Sequence, residues 1–239
     1  MKYPQMNLKG DVLKMLSRLE LLIGKNNIQT LKSSFAVVCG LGGVGGHCVE
    51  ALARCGIGKI RIVDADCFEK SNINRQLFSD SHNIGKPKTE EVKKRLIEIN
   101  PDIEIEELCL FADENNIDLV LKGNPDIVID AIDSLSSKCM LLCECIKRNI
   151  KVVSSMGAAL KTDPLKIKTA DISETHTCPL AKAVRKELEK HNVKNGIRCV
   201  FSTEKSAKKE NGILGSYEPV TGTFGLFLAH IAISQLLKF

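Results

Sequence analysis

The sequence predicts an α/β protein in which helices cover both faces of a mostly parallel sheet. The first observation is an apolar, β-branched run at 35–39 that leads directly into a glycine-rich turn at 40–46. The second is the regular alternation of short apolar strands with helical segments up to residue 155. Because such alternation requires right-handed crossovers between parallel strands, we expect a doubly wound, Rossmann-like sheet.

The alternation comprises five predicted strands and the helices between them. The strands are expected at 35–39, 59–64, 103–108, 126–130 and 151–155, and the helices at 43–55, 85–99, 113–121 and 134–148. Pro87 falls in the first turn of the second helix, where its missing N–H costs nothing. Since doubly wound sheets bind ligands beyond the carboxyl ends of their strands, one crevice should face the residues that follow them: Gly40, Asp64, Asp130 and Gly157.

Elements outside this alternation add N-terminal helices and a C-terminal extension. A helix over 7–23, ended by Gly24, and a short helix over 27–32 precede the first strand. We interpret 1–239 as a single domain. Its later elements are expected to be strands at 165–170 and 198–202, a helix at 178–190, a basic insertion at about 171–215 and a packing helix at 219–238.

The last helix is apolar enough to raise the question of a membrane span. The stretch 219–237 has 19 residues, a marginal length for crossing a bilayer. Polar side chains also interrupt it: Thr221, Thr223, His230, Ser234 and Gln235. A core helix explains the segment better, so we expect no membrane span.

Composition is typical of an ordinary globular protein in a reducing compartment. Hydrophobic residues make up 44% and charged residues 26% of the 239 residues, and a chain of this length can bury a full core. The ten cysteines contain no Cys-x-x-Cys pair. Residues 1–10 lack the apolar core of a signal peptide. We therefore expect free thiols and a cytoplasmic location.

The net charge of +5 is concentrated in one segment. Between Lys182 and Lys209 there are nine lysines and arginines against three glutamates. Charge alone leaves two interpretations open, a solvated helix and loop or a patch that binds a polyanion such as RNA. On the second interpretation, the candidate RNA-binding residues are Lys182, Arg185, Lys186 and Arg198.

The glycine-rich turn has the spacing of a nucleotide-binding loop. Gly40, Gly42 and Gly45 form G-x-G-x-x-G, which permits a tight exit from the strand, close approach of a phosphate and packing of the next helix. Gly43 opens that helix, whose amino terminus would face the phosphate. Asp64 stands 24 positions after Gly40, where a ribose-binding carboxylate is expected. Together these features predict nucleotide binding.

Two carboxylates follow the fourth strand. Asp130 and Asp133 are predicted to lie at the crevice, although Asp130 or Ser134 can also serve only to cap the next helix. Beside a phosphate-binding turn, Asp133 is a candidate ligand of Mg²⁺, which prefers carboxylate and phosphate oxygens. Arg75 and Lys88, in the loop and helix after the second strand, would stabilise the negative oxygens of a triphosphate.

In this order the motifs resemble those of the ubiquitin-activating-enzyme-like adenylating superfamily over about residues 18–160. The motifs are Gly-x-Gly-Gly-x-Gly at 40–45, Asp-x-Asp at 64–66, Asn-x-Asn-Arg-Gln at 72–76, Gly-Lys-Pro-Lys at 85–88 and Asp-Ala-x-Asp at 130–133. The resemblance implies that the nucleotide is ATP rather than NAD.

The resemblance also implies roles for individual residues. Asp64 is assigned to the ribose, Arg75 and Lys88 to the phosphates, and Asp133 to Mg²⁺ and the adenylation centre. Arg18 resembles the arginine that such proteins offer across a homodimer to the triphosphate of the partner. The remaining residues implied at the nucleotide are Gly40, Gly42, Gly43, Gly45, Asp66, Asn72, Asn74, Gln76 and Asp130.

Within the superfamily, the chain is similar to the tRNA threonylcarbamoyladenosine dehydratases over nearly its whole length. The similar segments are 18–24, 50–58, 130–134, 155–158, 163–164, 178–182 and 200–202. This implies ATP-dependent cyclisation of the threonylcarbamoyl group beside the anticodon of ANN-decoding tRNA, through an acyl-adenylate. The basic segment would then bind tRNA rather than DNA. A cysteine-desulfurase and sulfur-acceptor system, as some relatives have, is a further candidate partner.

Other functions fit parts of the sequence. An enzyme activating a sulfur-carrier or ubiquitin-like protein would share the motifs, but such enzymes typically hold zinc with two Cys-x-x-Cys pairs, which are missing here. An NAD-dependent dehydrogenase would share only the glycine turn, and an RNA-binding module would need only the basic segment. Cys178, at a predicted helix start, is either a nucleophile or, since the cyclisation needs no thiol, a packing residue.

Overall fold

A seven-stranded sheet organises the computed structural model, which describes residues 15–208 and 214–238. Its strand order is β3-β2-β1-β4-β5-β7-β6, and only β6 is antiparallel to its neighbour. The strands are Phe35–Cys39 (β1), Lys59–Val63 (β2), Glu104–Leu108 (β3), Ile127–Asp130 (β4), Val152–Ser155 (β5), Ile167–Asp171 (β6) and Arg198–Ser202 (β7). The predicted doubly wound, mostly parallel fold is confirmed.

Helices cover both faces of the sheet. They are Ser17–Ile23 (α1), Lys25–Ser33 (α2), Gly45–Arg54 (α3), Lys88–Ile99 (α4), Ile117–Val120 (α5), Leu135–Lys147 (α6), Pro179–Glu189 (α7) and Glu218–Leu237 (α8). Apolar side chains of α2, α3, α4 and α8 form one core layer. Those of α5, α6 and α7 form the other. Because both faces are covered, the central strands β1 and β4 are buried at every position.

The C-terminal helix α8 packs on α3 at backbone distance. A Cβ added at Gly225 would lie 2.4 Å from the carbonyl oxygen of Val44 and 2.7 Å from Cβ of His47. By length and composition α8 could cross a membrane, yet 56% of its apolar window is buried inside the protein. Its apolar surface is used in the core, as the sequence predicts.

The predicted helix over 113–121 is wrong in extent, since α5 covers only Ile117–Val120. The reason is local hydrogen bonding by polar side chains. The carboxylate of Asp113 accepts from the amides of Asn115 and Asn116, and Asn116 bonds back to the amide of Asp113. Together with the backbone bond from the amide of Ile117 to the carbonyl oxygen of Asp113, these bonds form a capping turn, and the regular helix begins only at Ile117. Of the predicted N-terminal helix, residues 7–14 lie outside the described residues, and Gly24 ends α1 with φ +84°.

The segment predicted as a basic insertion at about 171–215 contributes strand β7 to the sheet, at the position predicted for a strand. Strand β7 pairs in parallel with β5 and antiparallel with β6. Cys199, Val200 and Phe201 on β7 are buried. Apolar side chains of β7 therefore lie in the core, while Lys182, Lys186 and Arg198 of the same segment are exposed. Lys209 lies outside the described residues.

Candidate active site

A crevice of about 920 Å³ opens at the carboxyl ends of β1, β2, β4 and β5. This is the end of the sheet at which the sequence places the ligand. Most of the predicted nucleotide and catalytic residues line it: Gly40, Gly42, Gly43, Asp64, Asp66, Asn72, Arg75, Gln76, Lys88 and Asp133. The structure therefore brings together residues that are up to 93 positions apart in the sequence.

The glycine turn leaves no room for side chains at two of its positions. Gly40 has φ +92°, and a Cβ there would lie 2.6 Å from the carbonyl oxygen of Ala131. A Cβ on Gly45 would lie 1.7 Å from the carbonyl oxygen of Gly40. The amino terminus of α3 can thus approach the end of β1 closely, and its first amides, which have no partner within the helix, face the crevice.

Asp64 is held in one orientation by the backbone around it. One carboxylate oxygen accepts from the amide of Leu41 at 2.6 Å and the other from the amide of Asp66 at 2.8 Å. Burial raises the pKa of Asp64, while Lys88 and the two backbone hydrogen bonds act in the opposite direction. The carboxylate thereby presents its remaining lone pairs to the crevice.

The two predicted cations differ in their surroundings. Lys88 is buried, and its Nζ lies 2.8 Å from Oδ2 of Asp66 and 3.9 Å from Oδ1 of Asp64. Arg75 is half-buried and donates from Nη1 to the carbonyl oxygen of Ser71 at 2.6 Å. A bound anion would therefore compete with Asp66 for the ammonium of Lys88.

Asp130 does not reach the crevice, contrary to its prediction as a nucleotide-binding residue. It is 0% exposed because its Oδ2 accepts from Nζ of Lys138 at 2.6 Å and from Oγ of Ser154 at 2.5 Å. The sequence analysis missed Lys138. A signal was present, since Lys138 shares the helix face of the apolar residues Leu142 and Cys145.

Asp133 has the opposite environment. It is exposed and lines the crevice. Its carboxylate makes no hydrogen bond or ion pair with residues 15–208 or 214–238. In those same ranges, no three His, Cys, Asp or Glu side chains come together in a way that could hold a metal ion by themselves. Asp133 is therefore a free carboxylate at the mouth of the site.

The loop between β2 and α4 supplies polar groups in a short 3-10 turn at Lys70–Asn72. Asn72 is buried, and its Oδ1 accepts from the amide of Glu69. Oε1 of Gln76 is buried without a hydrogen-bond partner among the described residues. Asn74 lies outside the crevice lining and instead bonds to the carbonyl oxygen of Ser216 at 3.3 Å. Asn72, Arg75 and Gln76 are thus the residues of this motif that line the crevice.

A second wall extends the crevice beyond the glycine turn and Asp133. It is formed by residues 155–160, 178–180, 206–207, 214 and 216. Leu160, with φ +60°, donates to the carbonyl oxygen of Gly215 and accepts from the amide of Ala207. A Cβ on Gly157 would meet Cys178 Sγ at 3.5 Å, which is ordinary contact. Cys178 itself is buried beside α7.

The chain is similar to proteins of a known family. A family model described as the ThiF family matches residues 16–239. The chain belongs to the ThiF family. A Bacillus subtilis relative named tRNA threonylcarbamoyladenosine dehydratase is 46% identical over 193 residues, which cover 81% of this chain and 76% of the relative.

Two solved structures are similar to this ThiF-family chain over almost its whole length. The Escherichia coli tRNA N6-threonylcarbamoyladenosine dehydratase in complex with AMP is 30% identical with a TM-score of 0.92, covering 98% of both chains. The same enzyme in complex with ATP is 32% identical with a TM-score of 0.90, covering 95% of both chains.

Arg18 lies far from the crevice of its own ThiF-family chain. Leu16, at the start of the same segment, packs against Gly56, just beyond the carboxyl end of α3. The glycine turn is at the other end of that ten-residue helix, about 15 Å away. Arg18 does not line the crevice. The structure therefore leaves Arg18 outside the site formed by one copy.

The predicted RNA-binding residues also lie outside the crevice. Lys182, Lys186 and Arg198 are exposed. Arg185 is partly buried, and its Nη1 donates to the carbonyl oxygen of Thr175 at 2.8 Å. Arg185 thus holds the loop before α7, whereas the other three side chains are free to meet a partner's phosphates.

A second, smaller cavity of about 430 Å³ lies at the amino ends of the strands. Its lining includes Ser34, Asp126 and Lys151. None of the residues predicted for nucleotide, metal or RNA binding contributes to it. The predicted nucleotide-binding residues that line a cavity therefore all line the larger crevice.

Proposed function

We propose that this protein is an ATP-dependent tRNA threonylcarbamoyladenosine dehydratase that cyclises its substrate through an acyl-adenylate. The observation that carries the proposal is the crevice itself, in which a glycine turn, fixed Asp64 and free Asp133 meet a second wall with room for another ligand. The E. coli enzyme that shares this fold over nearly the whole chain bears this name and has been solved in complex with AMP and with ATP, and the B. subtilis relative bears the same name.

The residues at the nucleotide end fit ATP. The turn at Gly40 and Gly45 excludes side chains, so a phosphate can approach the backbone. Asp64 is oriented to accept from ribose hydroxyls, and Oε1 of Gln76 has no partner among the described residues. Lys88 and Arg75 supply the positive charge that a triphosphate requires. Each polar group of the cradle then has a chemical counterpart in the nucleotide.

Asp133 is the residue that would hold Mg²⁺. Because the described residues offer no ready-made group of ligands, phosphate oxygens and water would complete the coordination, as is usual for this ion. When bound, Mg²⁺ neutralises phosphate charge as it develops. Asp133 has no competing hydrogen bond among the described residues, which leaves it available for this task.

In the first step, the substrate carboxylate attacks the α-phosphate of ATP, and the bond to pyrophosphate breaks. The protein aligns the two reactants by holding the nucleotide at the glycine turn and the substrate against the second wall. Arg75 and Lys88 stabilise the charge that accumulates on the phosphate oxygens. The products of this step are the acyl-adenylate and pyrophosphate.

In the second step, a nucleophilic atom of the same threonylcarbamoyl group attacks the activated carbonyl carbon and releases AMP. The ring closes within one molecule, so the protein need supply no nucleophile of its own. Cys178, buried at the start of α7, then serves to pack the wall. The net change in the nucleoside is the loss of one water.

The tRNA is proposed to lie along the basic surface formed by Lys182, Lys186 and Arg198. Each phosphate they neutralise releases counterions, so three contacts predict a log–log dependence of affinity on salt with a slope of about −2 to −3. Lys182→Ala should reduce the magnitude of that slope by about 1 in a filter-binding titration. Lys147 is an exposed lysine outside this surface, so Lys147→Ala should leave the slope unchanged. A salt-independent affinity would contradict the proposal.

A homodimer is proposed because Arg18 is remote from its own crevice. On the same helix, Leu21 and Leu22 are 89% and 81% exposed, an apolar surface suited to a second copy. A partner's Arg18 could then reach the triphosphate. A cysteine-desulfurase and sulfur-acceptor system stays a prediction from the resemblance.

The deciding experiment is mass spectrometry of nucleosides from ANN-decoding tRNA that carries threonylcarbamoyladenosine, incubated with the protein, Mg²⁺ and ATP. The modified nucleoside should lose the mass of one water, and Asp133→Ala should slow the loss at least about 10²-fold. The matched control is Asp102→Ala, which should keep full activity. Asp102 is an exposed aspartate near the amino end of β3. No mass change, with pyrophosphate exchange only upon adding a Gly-Gly-tailed carrier protein, would favour carrier activation instead.

A further inference from the structure

The ammonium group of Lys138 is buried next to the crevice and contacts the ends of β4 and β5. Nζ of Lys138 is 2.6 Å from Oδ2 of Asp130, at the end of β4, and 3.0 Å from the carbonyl oxygen of Ser155, at the end of β5. Lys138 and Asp130 are both 0% exposed. Neither residue lines the crevice, so neither touches what binds there.

From Asp130 the connection continues to the turn that carries Asp133. Oδ1 of Asp130 accepts from the amide of Ile132 at 3.1 Å. The same turn packs against the glycine turn, since the carbonyl oxygen of Ala131 occupies the space that a Cβ on Gly40 would need. The position of Asp133 relative to the phosphate turn therefore depends on how the Asp130 carboxylate is held.

The other contact of Lys138 leads to the second wall. Ser155 directly precedes Met156 and Gly157, which line the part of the crevice assigned to the substrate. Ser154 strengthens the same junction by donating to Oδ2 of Asp130. One buried cation thus connects the strand end that leads to Asp133 with the strand end that leads to the substrate wall.

We propose that Lys138 is a positioning residue, which holds Asp133 and the substrate wall in fixed relation through Asp130 and the Ser155 carbonyl. The inference rests on the proposed adenylation reaction. A buried ion pair is weak evidence for a stabilising role, whereas alignment of reacting groups to within about 1 Å affects rates by about 10²-fold. Lys138 accordingly acts on catalysis through geometry, without contact to either substrate.

The first test is Lys138→Met, which keeps the length of the side chain and removes the charge. Amide hydrogen exchange at residues 130–134 should become at least about tenfold faster, because Asp130 loses its fixed partner. The kcat of pyrophosphate exchange with the tRNA substrate should fall at least about tenfold. The KM for ATP should stay within about threefold, since Asp64, Lys88 and the glycine turn are untouched.

The matched control is Arg61→Met. Arg61 is also a buried cation that bonds a carboxylate, Glu106, and two carbonyl oxygens, those of Val120 and Lys122, but it lies outside the crevice lining. Its removal should lower the melting temperature and leave both kcat and exchange at 130–134 unchanged. Equal losses of kcat in the two variants would overturn the positioning role.

A second variant keeps the test decisive if Lys138→Met fails to fold. The double change Asp130→Asn with Lys138→Met removes both buried charges, so it should fold, and it should still lose kcat at least about fivefold because the bond to the Ser155 carbonyl is gone. A folded variant with unchanged exchange and kcat contradicts the inference. If the wild-type protein is inactive, only the proposed function is contradicted. The hydrogen-exchange comparison at 130–134 still tests whether Lys138 holds this turn, because it needs no turnover.

Discussion

At the scale of single residues, what an aspartate does in this crevice is decided by its partners. Asp130 and Asp133 are three positions apart, yet only Asp133 is free to meet a ligand. Asp130 is neutralised by Lys138 and carries three hydrogen bonds. A carboxylate with so many donors is fixed in place. Asp130 is therefore held beneath the crevice, whereas Asp133 is exposed in the crevice lining.

Two neighbouring glycines provide a prediction at this scale. Gly45→Ala would bring a Cβ to 1.7 Å from the carbonyl oxygen of Gly40. We expect a loss of stability of about 1–3 kcal/mol and ATP affinity at least about tenfold weaker, measured by thermal unfolding and calorimetry. Gly46→Ala is the control, because its Cβ would come no closer than 3.4 Å to the ring of Phe78 and 3.6 Å to the carbonyl oxygen of Leu41. Similar ATP affinity in both variants would contradict the assignment of the turn.

At the scale of elements, helix α8 contacts the glycine turn as well as packing in the core. Thr221, in its first turn, would be 3.2 Å from a Cβ at Gly43, and it lines the crevice. His47 donates from Nδ1 to the carbonyl oxygen of Gly43 and lies 3.1 Å from Glu218 of α8. The start of α8 and the start of α3 are therefore joined at the nucleotide end.

This coupling predicts that a change on the far side of the turn alters ATP binding. Gly225→Ala would drive a Cβ into the carbonyl oxygen of Val44, so α8 must move away from α3. We expect a loss of about 1–3 kcal/mol in unfolding free energy, with weaker ATP binding by calorimetry. The adjacent Leu226→Ala, 57% exposed, should change unfolding free energy by less than about 0.5 kcal/mol. If Gly225→Ala unfolds easily yet binds ATP normally, the coupling does not exist.

At the scale of the whole molecule, the position of Arg18 raises the question of whether one copy or two copies of the chain form the complete site. Arg18 and the glycine turn lie at opposite ends of α3. In one copy, Arg18 does not line the crevice. We propose that two copies related by a two-fold axis complete the site, since each would then present its Arg18 to the other.

Mixing two inactive variants tests this arrangement. Arg18→Ala and Asp133→Ala impair the site from different chains if Arg18 acts across the dimer. In a randomly exchanged mixture, one site of each heterodimer is intact, so about one quarter of wild-type activity should return. Each variant alone is the control. Activity that stays at the level of the separate variants would assign Arg18 to its own chain or to neither.

Much of this molecule could be predicted because its signals are local. β-Branched residues indicate the strand at 35–39, glycine spacing indicates the turn, and apolar periodicity indicates the helix that ends at Arg54. All three lie where the sequence predicts them. Asp64, Lys88 and Asp133 follow recognisable elements at the same end of a parallel sheet, so their meeting in one crevice follows from the fold class. The helix predicted at 113–121 is shorter in the structure because Asp113 and Asn116 form a capping turn before it.

By itself, the sequence determined the doubly wound class, the end of the sheet that binds ligand and the residue types offered to a nucleotide. Only the tertiary structure decided which aspartate is free, that β7 lies between β5 and β6, and that Lys138 sits under the crevice. The physical reason is that burial and partner choice depend on residues distant in the chain. Lys138 becomes a buried cation only because Asp130 and the Ser155 carbonyl, on two different strands, converge on its ammonium.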